Sequence, residues 1–92
     1  MSEKRYTIKV HGRVQGVGYR YFCRTWAYSV DVSGWVRNSM DGTVELEAQG
    51  QENKLELFLA KLQEGPTLSR VDKIDKQETT WQPEETEFEI RY

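Results

Sequence analysis

Hydrophobic and polar positions change period along the chain, and the changes mark its elements. Tyr6-Thr7-Ile8-Lys9-Val10-His11 alternates with period two, the pattern of a strand with one buried face. From Tyr21 to Val30 the period lengthens, and Phe22, Trp26, Ala27 and Val30 return at helical spacing. Gly34-Trp35-Val36-Arg37-Asn38 and Thr43-Val44-Glu45-Leu46-Glu47-Ala48 then flank Ser39-Met40-Asp41-Gly42. Asp-Gly is a strong hairpin signal, because glycine accepts the positive φ that such a turn needs. Leu55, Phe58, Leu59 and Leu62 recur at intervals of three and four and predict a second amphipathic helix. Asn53 is placed to cap it, with Glu56 completing a capping box, and Gly65-Pro66 ends it. Val71 to Lys76 is a less regular strand, since Val71 and Ile74 are out of phase, and a bulge or irregular edge is expected. Glu78 to Thr86 reads as a polar loop, and Phe88, Ile90 and Tyr92 alternate with charged residues in a last strand.

The order strand–helix–strand–strand–helix–strand predicts an α+β fold over residues 1–92 as a single domain. Crossover connections are right-handed, which favours a ferredoxin-like split β-α-β arrangement. Its antiparallel sheet carries both helices on one face and leaves the other to solvent. The expected core is Ile8, Val10, Phe22, Trp26, Ala27, Val30, Val36, Val44, Leu46, Leu55, Phe58, Leu59, Leu62, Phe88 and Ile90.

Composition narrows the function classes. No window approaches the eighteen apolar residues of a membrane span, and the charged stretch Met1 to Arg5 has no apolar run behind it. Cys23 is the one cysteine, so no internal disulfide or cysteine-based metal cluster is expected, and it reads as a packing residue. A soluble, cytoplasmic protein is the expectation. The net charge of −2 hides an asymmetry. Lys4, Arg5, Lys9, Arg13, Arg20 and Arg24 precede Val30 with no acid among them after Glu3, whereas from Asp41 onward acids outnumber bases thirteen to six. A local positive field of this kind suits a small anion, while nucleic acid needs a more continuous basic footprint. His11 has no partner spacing for a metal site and reads as a surface residue.

Gly12-Arg13-Val14-Gln15-Gly16-Val17-Gly18-Tyr19-Arg20 joins the first strand to the first helix. A tight glycine loop opening a helix turns several backbone N–H groups into one concavity, which suits a phosphate-sized anion. Arg20, in the first helical turn, is set against the helix dipole at a cost of about 0.3–1 kcal/mol, which makes sense beside a bound anion. The loop lacks the Lys-Ser/Thr ending of a nucleotide phosphate loop and the third glycine of a dinucleotide fingerprint. Taken alone it leaves an anion site and an ordinary glycine turn equally open.

Gly12 to Arg20, together with Gly34-Trp35-Val36-Arg37-Asn38, Asp41-Gly42-Thr43-Val44-Glu45 and Gly65-Pro66, resembles the acylphosphatases over nearly all of the chain. The resemblance implies a ferredoxin-like enzyme that hydrolyses acyl phosphates without metal or other cofactor. It implies that Gln15, Gly16, Val17, Gly18, Tyr19 and Arg20 form the phosphate-binding loop and that Arg20 and Asn38 are catalytic, Asn38 by orienting water. Tyr19 stands where members often carry phenylalanine, a mild departure. A small acyl phosphate, and inorganic phosphate or sulfate as ligand, are the partners implied, with a monomer expected.

Two other classes share the fold. RNA-binding modules bear aromatic residues on a central strand, but the exposed positions of Thr43 to Ala48 include two glutamates, which repel a phosphate backbone. A non-catalytic anion-sensing domain within a larger assembly has no need of Asn38.

Overall fold

The computed structural model describes residues 2–92, in the order β1 (Glu3–Arg13), α1 (Tyr19–Val30), β2 (Ser33–Asn38), β3 (Val44–Gln51), α2 (Glu52–Glu64), β4 (Arg70–Thr79) and β5 (Phe88–Arg91). One sheet has the strand order β4-β1-β3-β2-β5. It is antiparallel except at its end, where β5 runs parallel to β2. The first four strands and two helices are the ferredoxin-like βαββαβ arrangement, and β5 adds a short strand beside β2.

Register explains which residues are buried. Ile8 faces Leu46, Leu46 faces Val36, and Val36 lies beside Ile90, so one apolar row crosses four strands. The next row pairs Ile74, Val10 and Val44. Both helices cover this face, with Leu55, Phe58 and Leu62 of α2 fully buried in the core. On β4 the expected irregularity is a bulge: His11 faces Lys73 but Gly12 faces Val71, leaving Asp72 unpaired and returning Val71 to the side of Ile74.

Three expectations need correction. The buried stripe of α1 is Tyr19, Cys23 and Ala27, and Phe22 and Trp26 lie on its half-buried flanks. Small residues at 23 and 27 let the helix axis approach the sheet, and the larger rings spread to either side. Trp26 there stacks under the Lys61 ammonium, 4.5 Å from its ring centre, and so bridges the two helices. Secondly, α2 begins at Glu52 directly after β3, with Gln51 as its N-cap and Asn53 already inside the first turn. The Glu52 N–H is satisfied by the Ser2 carbonyl at 3.0 Å, so no capping box forms. Thirdly, the sheet face away from the helices is not wholly open. Arg5, 2 % exposed, donates to Glu47 at 2.7 Å, Gln49 at 2.8 Å and Glu85 at 2.6 Å. Gln49 in turn donates to the Gln82 carbonyl at 2.8 Å, so the segment after β4 is pinned over this end of the sheet.

Candidate active site

Because β1 and β2 both run antiparallel to the β3 between them, and β5 parallels β2, these three strands share one direction. Their C-terminal ends therefore line one edge of the sheet. There β1 leads into the glycine loop, β2 ends at Asn38, and β5 runs into Tyr92. Asn38 follows Val36 by two residues and so points to the helix-covered side, at the rim where α1 begins rather than beneath it. The strand phase that buries Val36 delivers Asn38 to the loop.

Gly16 and Gly18 have φ of 73° and 78°. Space above both Cα atoms is open, so the requirement for glycine is conformational, at about 1–2 kcal/mol for a side chain, and not steric. Gly18 is the N-cap of α1, no side chain caps the helix, and its first turn holds no acid. Among the described residues, no hydrogen bond engages the backbone N–H of residues 16–21, and the first N–H to find a partner is that of Phe22, bonded to the Gly18 carbonyl at 3.1 Å. A helix start thus presents its donors uncapped.

A cleft of about 190 Å³ lies over these donors, lined by Val14, Gly16, Gly18, Tyr19, Arg20, Tyr21 and Asn38. It brings together Arg20, Asn38 and three of the other five loop residues expected from sequence. Gln15 and Val17 do not line it, whereas Val14 and Tyr21, not anticipated, do. A larger hollow of about 300 Å³ lies on the opposite sheet face beside Lys9, Trp35 and Gln77 and contains none of these groups.

Arg20 is steered by the strand end beside it. Its Nη1 donates to the Arg91 carbonyl at 3.2 Å, and its guanidinium lies 4.6 Å from the centre of the Tyr92 ring. Of the six N-terminal cations, Lys4 pairs with Glu52, Arg5 with Glu47 and Glu85, and Lys9 with Asp41. Among the described residues Arg13, Arg20 and Arg24 have no carboxylate within ion-pair distance, so the positive field concentrates at the loop.

The Gln15 side chain turns away from the cleft and ties the loop to the hairpin after Asn38. Its Nε2 donates to the carbonyls of Ser39 at 2.7 Å and Thr43 at 2.9 Å. The hairpin is closed by the Ser39 N–H on the Thr43 carbonyl at 2.9 Å. Asp41 accepts from both the hydroxyl and the N–H of Thr43 and pairs with Lys9 at 3.1 Å. These bonds, the Thr43 hydroxyl foremost, hold its carboxyl well below the usual carboxylate range.

Tyr19 anchors the loop from below. It is 1 % exposed, its phenol is pushed up by burial, and its hydroxyl donates to the Leu62 carbonyl at 2.6 Å. That carbonyl would ordinarily accept from the residue four positions on, but Pro66 has no N–H. The hydroxyl that distinguishes Tyr19 from phenylalanine fills the gap that Pro66 leaves.

Comparison with known proteins identifies the family. The family model Acylphosphatase matches residues 6–90. An acylphosphatase of Geobacillus thermodenitrificans is 43% identical over 89 residues, covering 97% of this chain and 95% of that one. The crystal structure of acylphosphatase from Bacillus subtilis superimposes with a TM-score of 0.91 at 41% identity, over 96% of this chain and 98% of the other. Full-length HypF, solved in a phosphate- and nucleotide-bound form, matches with a TM-score of 0.90 and 32% identity, over 99% of this chain but 12% of that one. With the family model matched over residues 6–90 and relatives of the same fold matched along nearly their whole length, the chain belongs to the acylphosphatase family and is an enzyme that hydrolyses acyl phosphates.

Proposed function

We propose that the loop of residues 15–20 and the Arg20 guanidinium hold the phosphate of the substrate, and that Asn38 orients the water that attacks it. The observation that carries this reading is the shared cleft, where uncapped N–H groups, an arginine with no carboxylate partner among the described residues and a neutral amide converge. An acyl phosphate is a mixed anhydride whose carboxylate leaves without protonation, so no general acid is needed. Water adds to phosphorus as the bond from phosphorus to the acyl oxygen breaks, and a phosphate oxygen takes the proton of the water.

Phosphoryl transfer through a loose transition state asks mainly for positioning and for compensation of charge on the equatorial oxygens. N–H donors and Arg20 supply that compensation, each at about 3–4 kcal/mol by analogy with oxyanion-hole donors. Asn38 accepts a hydrogen bond from water without adding negative charge beside the phosphate, as an aspartate would. Inorganic phosphate and sulfate fit the same donors as ligands.

Hydrolysis of benzoyl phosphate by wild type and Arg20→Lys tests the reading, with circular dichroism reporting the fold. Lysine keeps the charge but loses the planar fork, and the rate is expected to fall by about 10²–10³. A folded Arg20→Lys protein that keeps more than about a tenth of the activity would remove Arg20 from this role.

A further inference from the structure

The strand ends and the loop account for the phosphate, but the opposite wall of the cleft is α1 itself. Tyr21 lines the cleft and is 60% exposed, and the Arg24 guanidinium lies 5.1 Å from the centre of its ring. Arg24 stands one helical turn beyond Arg20, about 6 Å along the axis. It has no carboxylate within ion-pair distance among the described residues, although nine of the thirteen lysines and arginines do. α1 holds no acidic residue, and two arginines in its N-terminal half both oppose its dipole.

We propose that Tyr21 and Arg24 form an acyl-side subsite, and that it favours acyl phosphates whose acyl group ends in its own anionic group. This rests on the reading that Arg20 and the loop hold the phosphate. A phosphate seated there directs the acyl chain outward along the tyrosine face. An anion three or four bonds beyond the carbonyl then reaches the turn that carries Arg24. The Tyr21 ring keeps that guanidinium beside the cleft, as cation–π stacking does for a cation with no other partner. A neutral acyl group gains the ring contact but leaves Arg24 unpaired.

The test compares two substrates of equal chain length, butanoyl phosphate and 3-carboxypropanoyl phosphate, by kcat/KM at low ionic strength. The wild type is expected to favour the carboxylated substrate by about two- to fivefold, the size of a solvent-exposed ion pair. Arg24→Gln is expected to remove that preference. Arg13→Gln serves as the control, because among the described residues Arg13 is also without a carboxylate partner but does not stack on a ring that lines the cleft, as Arg24 does on Tyr21. A wild type without preference, an Arg24→Gln enzyme that retains it, or an Arg13→Gln enzyme that loses it equally would each overturn the subsite, the last by assigning the effect to the diffuse field. Failure of the wild type to hydrolyse either substrate would instead overturn the parent reading, and this inference with it.

Discussion

The Arg20 guanidinium lies against the Tyr92 ring, 4.6 Å from its centre, while the backbone of Arg91 accepts from its Nη1. The end of β5 therefore aims the arginine that faces the loop, from the opposite end of the sequence. A cation–π contact at an exposed site is worth about 0.5–1 kcal/mol. Tyr92→Ala should accordingly lower kcat/KM for benzoyl phosphate by about two- to fivefold. Tyr92→Phe keeps the ring and should stay near wild type. A phenylalanine variant as impaired as the alanine variant would show that the hydroxyl, not the ring, matters.

Tyr19→Phe should destabilise the protein by about 1–3 kcal/mol, because it leaves the Leu62 carbonyl without a donor in a buried place. For a domain of this size each kcal/mol corresponds to about 4–8 °C in Tm. Thermal unfolding of the two proteins decides it. A melting temperature unchanged by the substitution would mean that the carbonyl finds another partner.

Much of this was legible in the sequence, and the reasons are local. Alternation in Tyr6–His11 and Thr43–Ala48 and the Asp41-Gly42 turn are short-range signals, and the strands they predict form as expected. The cleft is also partly local, since Gly16, Gly18 and Arg20 are neighbours and Asn38 follows from the phase of β2. What the pattern did not reveal depends on long-range pairing. Nothing near Arg20 announces Arg91 and Tyr92, because only the parallel β2–β5 register brings them to the same edge. Nor does the spacing of Phe22 and Trp26 show that the narrower stripe of Cys23 and Ala27 faces the sheet. The burial of Arg5 likewise depends on Glu85, eighty residues away.

Gln15→Leu should affect catalysis through the hairpin. It removes two hydrogen bonds, to the Ser39 and Thr43 carbonyls, worth about 1–3 kcal/mol together. Both carbonyls keep a backbone donor, from Gly42 and Ser39, so the hairpin itself should survive. Urea unfolding should show the loss of stability, and kcat should fall more than the affinity for inorganic phosphate. Loss of stability with kcat unchanged would show that this tie does not position Asn38.

The Asp41 carboxyl gives a pH signature. Its pKa is held down in the folded protein, chiefly by the Thr43 hydroxyl and N–H and then by Lys9. In the unfolded chain an aspartate titrates near 3.9. The carboxylate therefore contributes stability above about pH 4, and the contribution is lost as pH falls below that towards the folded value. The stability difference between wild type and Asp41→Ala should be largest above about pH 4 and should shrink on acidification. A difference that stays constant from neutral pH down to about pH 2 would contradict the assignment.

Asn38→Ala separates the proposed role of Asn38 in orienting water from the hold of the loop on the phosphate. Steady-state hydrolysis of benzoyl phosphate gives kcat, and competitive inhibition by inorganic phosphate gives the affinity of the ground-state anion site. A group that acts on the attacking water matters mainly in the transition state. The expected result is a fall in kcat of about 10²–10³, by analogy with the loss of one transition-state donor, with phosphate affinity within about threefold of wild type. A phosphate affinity that falls in proportion to kcat would make Asn38 a phosphate binder and contradict the account.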